Sequence, residues 1–267
     1  MTGTKTLALS NQRTIAYKDE GKGVPLVLLH GFCGSHAYWD MVLPELAKQY
    51  RVLVPDLPGH GQSSIPEDME TIEQMADWLH EMLNALAVTQ ATLIGHSLGG
   101  YITLAFAERY GELLKRFGLV HSTSLPDSAD AMKARDASSE KVKAEGIHAL
   151  IDGLVPKLFA PANLERMEQE VQRTKEIGYA TSPKGAIAVL QAMKNRPDRT
   201  DVLSSTSLPV LLVAGEHDQV IPKEKTFTVT RDTVSHAVLN TAGHMGMLES
   251  PAQLVEVLRG FAGESEA

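Results

Sequence analysis

The sequence predicts an α/β fold: a mostly parallel eight-stranded sheet with helices on both faces and a helical segment inserted between two of the strands. Three observations predict it. Short, wholly apolar runs recur along the chain. They alternate with amphipathic stretches of helical period. The alternation lapses once, between about Ser122 and Ser207, and then resumes.

Thr6–Leu9 and Thr14–Lys18 read as an antiparallel pair of strands, separated by the turn-like Ser10-Asn11-Gln12. Pro25–Leu29 (PLVLL) is apolar throughout, as expected of a strand covered on both faces. Arg51–Pro55, Ala91–Ile94, Phe117–Val120, Pro209–Val213 and Ser235–Leu239 complete the set of eight. Between them, Thr71–Ala87 places Ile72, Met75, Ala76, Leu79, Leu83 and Leu86 at three- and four-residue steps, so one helical face is apolar. Tyr101–Tyr110 is a second helical run. Strand and helix in alternation imply right-handed crossovers and a parallel sheet.

In the lapse the candidates are all helical: Ser128–Glu145, Ile147–Phe159, Leu164–Ile177 and Lys184–Asn195, punctuated by Pro156, Pro161, Pro183 and Pro197. The expected division is a core of residues 1–122 and 206–267 with an insertion at 123–205. The small, acidic tail from Gly263 to Ala267 is expected to fray.

With 267 residues, 43% hydrophobic and 22% charged, the chain can bury a large core. A formal charge of −8 without basic clusters argues against nucleic acid as a partner. No segment approaches a membrane span, and the N-terminal stretch lacks the apolar centre of a signal peptide. Cys33 is the single cysteine, so no internal disulfide can form, and a cytoplasmic location is expected.

The chemistry is carried by Gly95-His96-Ser97-Leu98-Gly99, which follows the buried strand and opens the next helix. A serine between glycines at such a junction can occupy a sharp, strained turn that exposes its hydroxyl above the sheet. That hydroxyl needs a base, and histidine has the suitable protonation range. His244 lies in a loop after the last strand and can reach the carboxyl edge of the sheet. His236 falls inside a strand, and His80 and His148 fall in helical patterns; these three read as surface or packing residues. The base in turn needs an anion. Asp218 and Glu216 both follow the strand at 209–213, and the order Ser…Asp…His favours Asp218. An oxyanion hole would draw one amide from Leu98 and the other from the loop His30-Gly31-Phe32-Cys33-Gly34-Ser35, with Phe32 as donor.

HGFCGS at 30–35, PDLPGHGQS at 55–63, GHSLGG at 95–100, GEHDQVIP at 215–222 and AGHMGMLESP at 242–251 together resemble the small esterase and lactonase group of α/β-hydrolases, over nearly the full length. The resemblance implies Ser97, Asp218 and His244 as catalytic triad, Phe32 and Leu98 as oxyanion donors, residues near 123–205 as a helical cap, and Asp56 as a structural turn residue. Cys33, beside the oxyanion loop but without a base, reads as packing, as do Tyr38 and Trp39. Met132, Met167 and Met193 are candidates to line an acyl pocket. Arg135, Asn163, Arg166 and Arg173 read as solvated helix faces or caps.

No cofactor is expected, and no cluster has metal-ligand spacing. The expected activity is hydrolysis of small, hydrophobic carboxylic esters through an acyl-enzyme. Two alternatives remain: the same triad acting on an enol-lactone, a carbon–carbon bond or a peracid-forming reaction, and a non-catalytic small-molecule receptor. Oligomeric state and physiological substrate stay open.

Overall fold

All six residues of the strand Ala91–His96, and all six of Val210–Gly215, are buried, so both faces of the sheet are covered at its centre. The structure is a computed structural model that describes residues 3–9, 13–66 and 69–263. The turn expected at Ser10-Asn11-Gln12 and the tail beyond Gly263 lie outside the described residues.

Eight strands form one sheet: β1 (Lys5–Ala8), β2 (Thr14–Glu20), β3 (Pro25–Leu29), β4 (Arg51–Pro55), β5 (Ala91–His96), β6 (Leu114–Val120), β7 (Val210–Gly215) and β8 (Val234–Leu239). Their order is β1-β2-β4-β3-β5-β6-β7-β8. β1 pairs antiparallel with β2, and β2 antiparallel with β4, while every later pair is parallel. Expected and observed strands agree apart from their ends. β6 starts three residues before Phe117, because the exposed Lys115 and half-buried Arg116 break the apolar run that marked it.

The helices in chain order are α1 (Leu43–Leu46), α2 (Ile72–Ala85), α3 (Leu98–Tyr110), α4 (Ala129–Glu145), α5 (Ile147–Leu158), α6 (Glu168–Tyr179), α7 (Pro183–Lys194), α8 (Thr200–Ser205), α9 (Lys223–Thr226), α10 (Gly246–Glu249) and α11 (Pro251–Ala262). α2 begins at a capping box: Thr71 accepts from the Gln74 amide, and the Gln74 side chain accepts from the Thr71 amide. Its apolar face buries Ile72, Met75, Ala76, Leu79 and Leu83, as the spacing predicts, together with Trp78 and Met82. α2 packs on α3, and α3 packs on β5 and β6.

Between β6 and β7 the chain is helical, α4 to α8, with α4 packed on α5 and α7, and α5 on α6. The helix expected over 164–177 begins later, at Glu168. The chain before it forms a 3-10 turn, Pro161–Asn163, and the Asn163 amide is committed to the Thr241 carbonyl and the Glu249 carboxylate. Among the described residues no helix is long and apolar enough to cross a membrane.

Candidate active site

Ser97 sits between β5 and α3 with φ 52° and ψ −113°, a conformation that L-residues rarely adopt. The turn is held rather than loose. The Ser97 amide donates to the Val120 carbonyl at 3.0 Å, and Ser122 Oγ donates to the Ser97 carbonyl at 2.8 Å. Gly95 is required by close packing, since a Cβ there would lie 2.1 Å from the Gly99 carbonyl oxygen. Leu98, buried, is the first residue of α3, so its amide is among the four at a helix start with no carbonyl in a preceding turn.

β7 and β8 are neighbours, and the loops at their carboxyl ends bring Asp218 and His244 together. His244 Nδ1 lies 2.8 Å from Asp218 Oδ2. The other oxygen, Oδ1, accepts from the amides of Val220 and Ile221 at 2.8 and 2.9 Å. Burial is the largest influence on the Asp218 carboxyl and pushes its pKa up. The charge of His244 and its hydrogen bond, with the His121 ring close by, outweigh it and hold the group far below the usual carboxylate range. Asp218 is therefore ionised. Glu216, the other acid considered from sequence, is exposed and ion-paired with Lys223 at 2.7 Å.

The loop after β3 lies against the serine: a Cβ on Gly31 would be 3.3 Å from Ser97 Cβ. Its position is fixed through His30, whose Nε2 accepts from the Leu57 amide at 2.9 Å while Nδ1 donates to the Gly31 carbonyl at 2.8 Å. Asp56, fully buried, accepts from the His36 amide, His36 Nδ1 and the Gln62 amide at 2.7 to 2.9 Å. It ties two loops together and stays away from the cavity wall. Cys33 is buried, and burial pushes its thiol pKa up, so it is not a thiolate.

Ser97, His244, Gly31 and Phe32 border a cavity of about 420 Å³. Tyr38 also borders it, in contrast to the purely packing role expected from sequence, whereas Trp39 is buried away from it. Of the three methionines considered, Met193 alone is in the wall. Two readings of polar residues need correction. Arg135 is in the cavity wall, half-buried, with its Nε 3.1 Å from Asp127 Oδ2. Asn163 is buried rather than solvated, because it bonds Glu249 and the Thr241 carbonyl. Arg166 and Arg173 are exposed, as expected.

Sequence reasoning passed over three groups. His121, fully buried at the end of β6 with φ 49°, brings Nδ1 to 3.3 Å from Asp218 Oδ2. Its signal was available: a histidine at the carboxyl end of a buried central strand. Glu249 accepts from the Ala160 amide and Asn163 Nδ2 at 2.7 Å through Oε2, and from the Gly243 and Met245 amides at 2.8 and 3.1 Å through Oε1. Arg196, buried, stacks 4.0 Å above the Tyr101 ring and donates to Asp127 at 2.6 Å. Nothing in its local sequence marked these partners.

His80, His148 and His236 stack on Tyr110, Tyr179 and Phe227 with ring centroids 4.0 to 4.4 Å apart, consistent with packing roles. His121, Asp218 and His244 together offer ligand-type atoms within 4.8 Å of one another, a grouping that their separation in sequence conceals. Asp218 Oδ2 is already engaged by His244, so the arrangement is an imidazole–carboxylate pair with a second imidazole beside it.

A family pattern described as the alpha/beta hydrolase fold matches residues 24–145. The chain is 30% identical over 268 residues to a 2-hydroxymuconate semialdehyde hydrolase of a Pseudomonas species, spanning 93% of this chain and 90% of that one. It is also 30% identical to a pimeloyl-[acyl-carrier protein] methyl ester esterase of Aeromonas hydrophila, over 94% of this chain and 100% of the relative. Among solved structures, a thermophilic esterase from Thermogutta terrifontis, with malate bound, superimposes with a TM-score of 0.91 at 29% identity and covers 97% of each chain.

Proposed function

The chain belongs to the alpha/beta hydrolase family, and on that premise we propose that it cleaves small carboxylic esters through an acyl-enzyme on Ser97. One observation carries the reading. An ionised, buried Asp218 holds Nδ1 of His244 at 2.8 Å, and His244 borders the same cavity as the strained Ser97. With Nδ1 engaged, Nε2 is the nitrogen left for the cavity.

In this mechanism His244 Nε2 takes the proton of Ser97 Oγ as the oxygen attacks the ester carbonyl. The amides of Phe32 and Leu98 receive the developing oxyanion, and each such donor is worth roughly 3 kcal/mol in the transition state. Collapse breaks the carbon–oxygen bond, and His244 passes its proton to the departing alcohol. Water then attacks the acyl-enzyme with His244 as base, which releases the acid and restores Ser97. His121 stands beside the acid as a positioning residue.

Residues 123–205 serve in this reading as a cap over a core of 1–122 and 206–267. The support is the cavity wall itself, to which Leu125, Asp127, Arg135, Leu154, Leu158 and Met193 all contribute from that span.

The test is labelling by a fluorophosphonate together with multiple-turnover hydrolysis of short p-nitrophenyl esters. Both are expected of the native protein and both should vanish in Ser97→Ala. Retained turnover in that variant would remove Ser97 from the mechanism.

A second reading, cleavage of a carbon–carbon bond by the same groups, gains support from the charged residues Asp127, Arg135 and Arg196 in the wall, where enolate chemistry would need polar groups. The similarity to a 2-hydroxymuconate semialdehyde hydrolase points the same way. Assay of β-diketone and enol-lactone substrates beside the esters separates the two.

A further inference from the structure

We propose that the cavity contains a carboxylate subsite at Arg135, so that the compound this site takes carries a free carboxylate in addition to the reacting carbonyl. The inference rests on the reading of the cavity as a hydrolytic site and names the class of substrate it accepts.

The charge of the wall is the first observation. The protein as a whole is at −8. Yet the fully charged side chains bordering the cavity are Arg135, Arg196 and Lys225 against Asp127, three cations to one anion, or +2. A cleft whose sign opposes that of the whole molecule concentrates ligands of the other sign.

The second observation is how those charges are connected. Arg196 is occupied: it donates to Asp127 Oδ1 at 2.6 Å, to the Leu125 carbonyl through Nε and Nη2, and to the Met193 carbonyl at 2.8 Å, with its guanidinium carbon 4.0 Å from the centre of the Tyr101 ring. That one buried arginine already balances Asp127. Arg135 adds a second cation to the same carboxylate, through Nε alone at 3.1 Å. Among the described residues its two terminal nitrogens have no protein partner. The cluster thus forms a line, Arg196–Asp127–Arg135, whose one end is satisfied and whose other end, Arg135, borders the cavity with its charge in excess.

A half-buried guanidinium in excess of its counter-charge attracts an anion more strongly than one free in water. The guanidinium's own geometry selects the anion. Two terminal nitrogens match a planar carboxylate in a bidentate pair. A phosphate dianion would meet the repulsion of Asp127 with one available guanidinium, so a carboxylate is the better match.

The experiment separates this subsite from the hydrolytic reading. Monoethyl esters of succinic, glutaric, adipic and suberic acids are compared with the ethyl alkanoates of equal length, which end in methyl. Binding is measured calorimetrically to Ser97→Ala, where turnover does not interfere, and kcat/KM is measured on the native enzyme by pH-stat. The best half-ester should bind at least tenfold more tightly than its neutral counterpart. The same preference should appear in kcat/KM, chiefly through KM. Arg135→Met should collapse the charged-to-neutral ratio by tenfold or more in both measurements, and Arg135→Lys should restore part of it. A ratio near one in the parent, or one that Arg135→Met leaves intact, overturns the subsite. If half-esters bind in an Arg135-dependent way but no ester is turned over, the subsite stands and ester hydrolysis falls.

Discussion

His121 and His244 share one oxygen. Asp218 Oδ2 is hydrogen-bonded to His244 Nδ1 at 2.8 Å and has His121 Nδ1 beside it at 3.3 Å, without a hydrogen bond between them. His121 is fully buried, and burial, opposed by the nearby carboxylate, lowers its pKa, so it stays neutral. It faces His96 and His244 as rings, with centroids 6.0 and 5.8 Å away, and Asp218 and Glu249 as charges. A neutral ring beside Oδ2 takes up part of the field that would otherwise stabilise a proton on His244. Replacing His121 by Leu should therefore move the acid limb of the kcat/KM profile to higher pH. An unmoved limb, with activity lowered equally at every pH, would mean that His121 only fills space.

The strain at Ser97 gives a second prediction. A non-glycine residue at φ 52° and ψ −113° costs on the order of 1–3 kcal/mol. Ser97→Gly relieves it, while glycine gives back about 0.5–1 kcal/mol in unfolded-chain entropy. The glycine variant should be inactive yet more stable than the parent by about 1 kcal/mol, read as a rise of roughly 2–4 °C in Tm. Ser97→Ala keeps the strain. It should lose about 10⁴- to 10⁶-fold in rate with Tm close to the parent's. A Tm for Ser97→Gly at or below that of Ser97→Ala would show that the turn stores no strain.

Why some of this was legible from sequence and some was not follows from the range of the interactions. The strands announced themselves because both faces are covered, and burial on both faces leaves a wholly apolar run such as PLVLL. Ser97 was visible because a strand, a tight turn and a helix start must all be encoded within a few residues. Asp218 could be preferred to Glu216 only by the order of the triad. The structure adds the reason that Glu216 is already paired with Lys223 at the surface. Arg135 and Asn163 were misread because local pattern shows which face of a helix is polar, not what lies opposite that face. Arg135 meets Asp127, eight residues earlier, while Asn163 meets Glu249, 86 residues later. Glu249 itself looked like an ordinary acid beside the Ser250-Pro251 helix start.

Glu249 should nevertheless be among the least replaceable side chains near the site. Its two oxygens hold the amides on either side of His244, those of Gly243 and Met245, and join them to Ala160 and Asn163 after α5. Glu249→Gln exchanges an acceptor oxygen for an NH₂ that faces donors. Hydrogen bonds to a charged group are worth about 1.5–3 kcal/mol each, and an unsatisfied buried donor adds to the loss. The variant should be less stable by about 3 kcal/mol in urea unfolding, and kcat should fall at least tenfold at a temperature where it remains folded. Lowered stability with kcat unchanged would separate Glu249 from the placement of His244.

Two further histidines make stability depend on pH. Burial, with His60 as a nearby like charge, pushes His30 down to about 3, and burial pushes His60 down to about 4. Both are held neutral in the folded protein, whereas in the unfolded chain they titrate at about 6.5. Above that pH neither state binds the protons and these groups contribute no slope. Between about pH 6.5 and 4 the unfolded chain binds a proton at each ring that the folded protein refuses, so stability rises with pH there and is lost on acidification. The loss is about 1.4 kcal/mol per pH unit for each ring. His60 has a replaceable ring: Nδ1 donates to the Pro58 carbonyl at 3.0 Å, and Nε2 is buried without a partner among the described residues. His60→Phe keeps the aromatic packing against His30 and Phe32, centroids 5.4 and 6.0 Å away, and removes one titrating group. Urea unfolding at pH 7, 6 and 5 should show a dependence shallower by about 1.4 kcal/mol per unit in the variant across the acid part of that range. Parallel slopes in the two proteins would mean that His60 binds its proton as readily folded as unfolded.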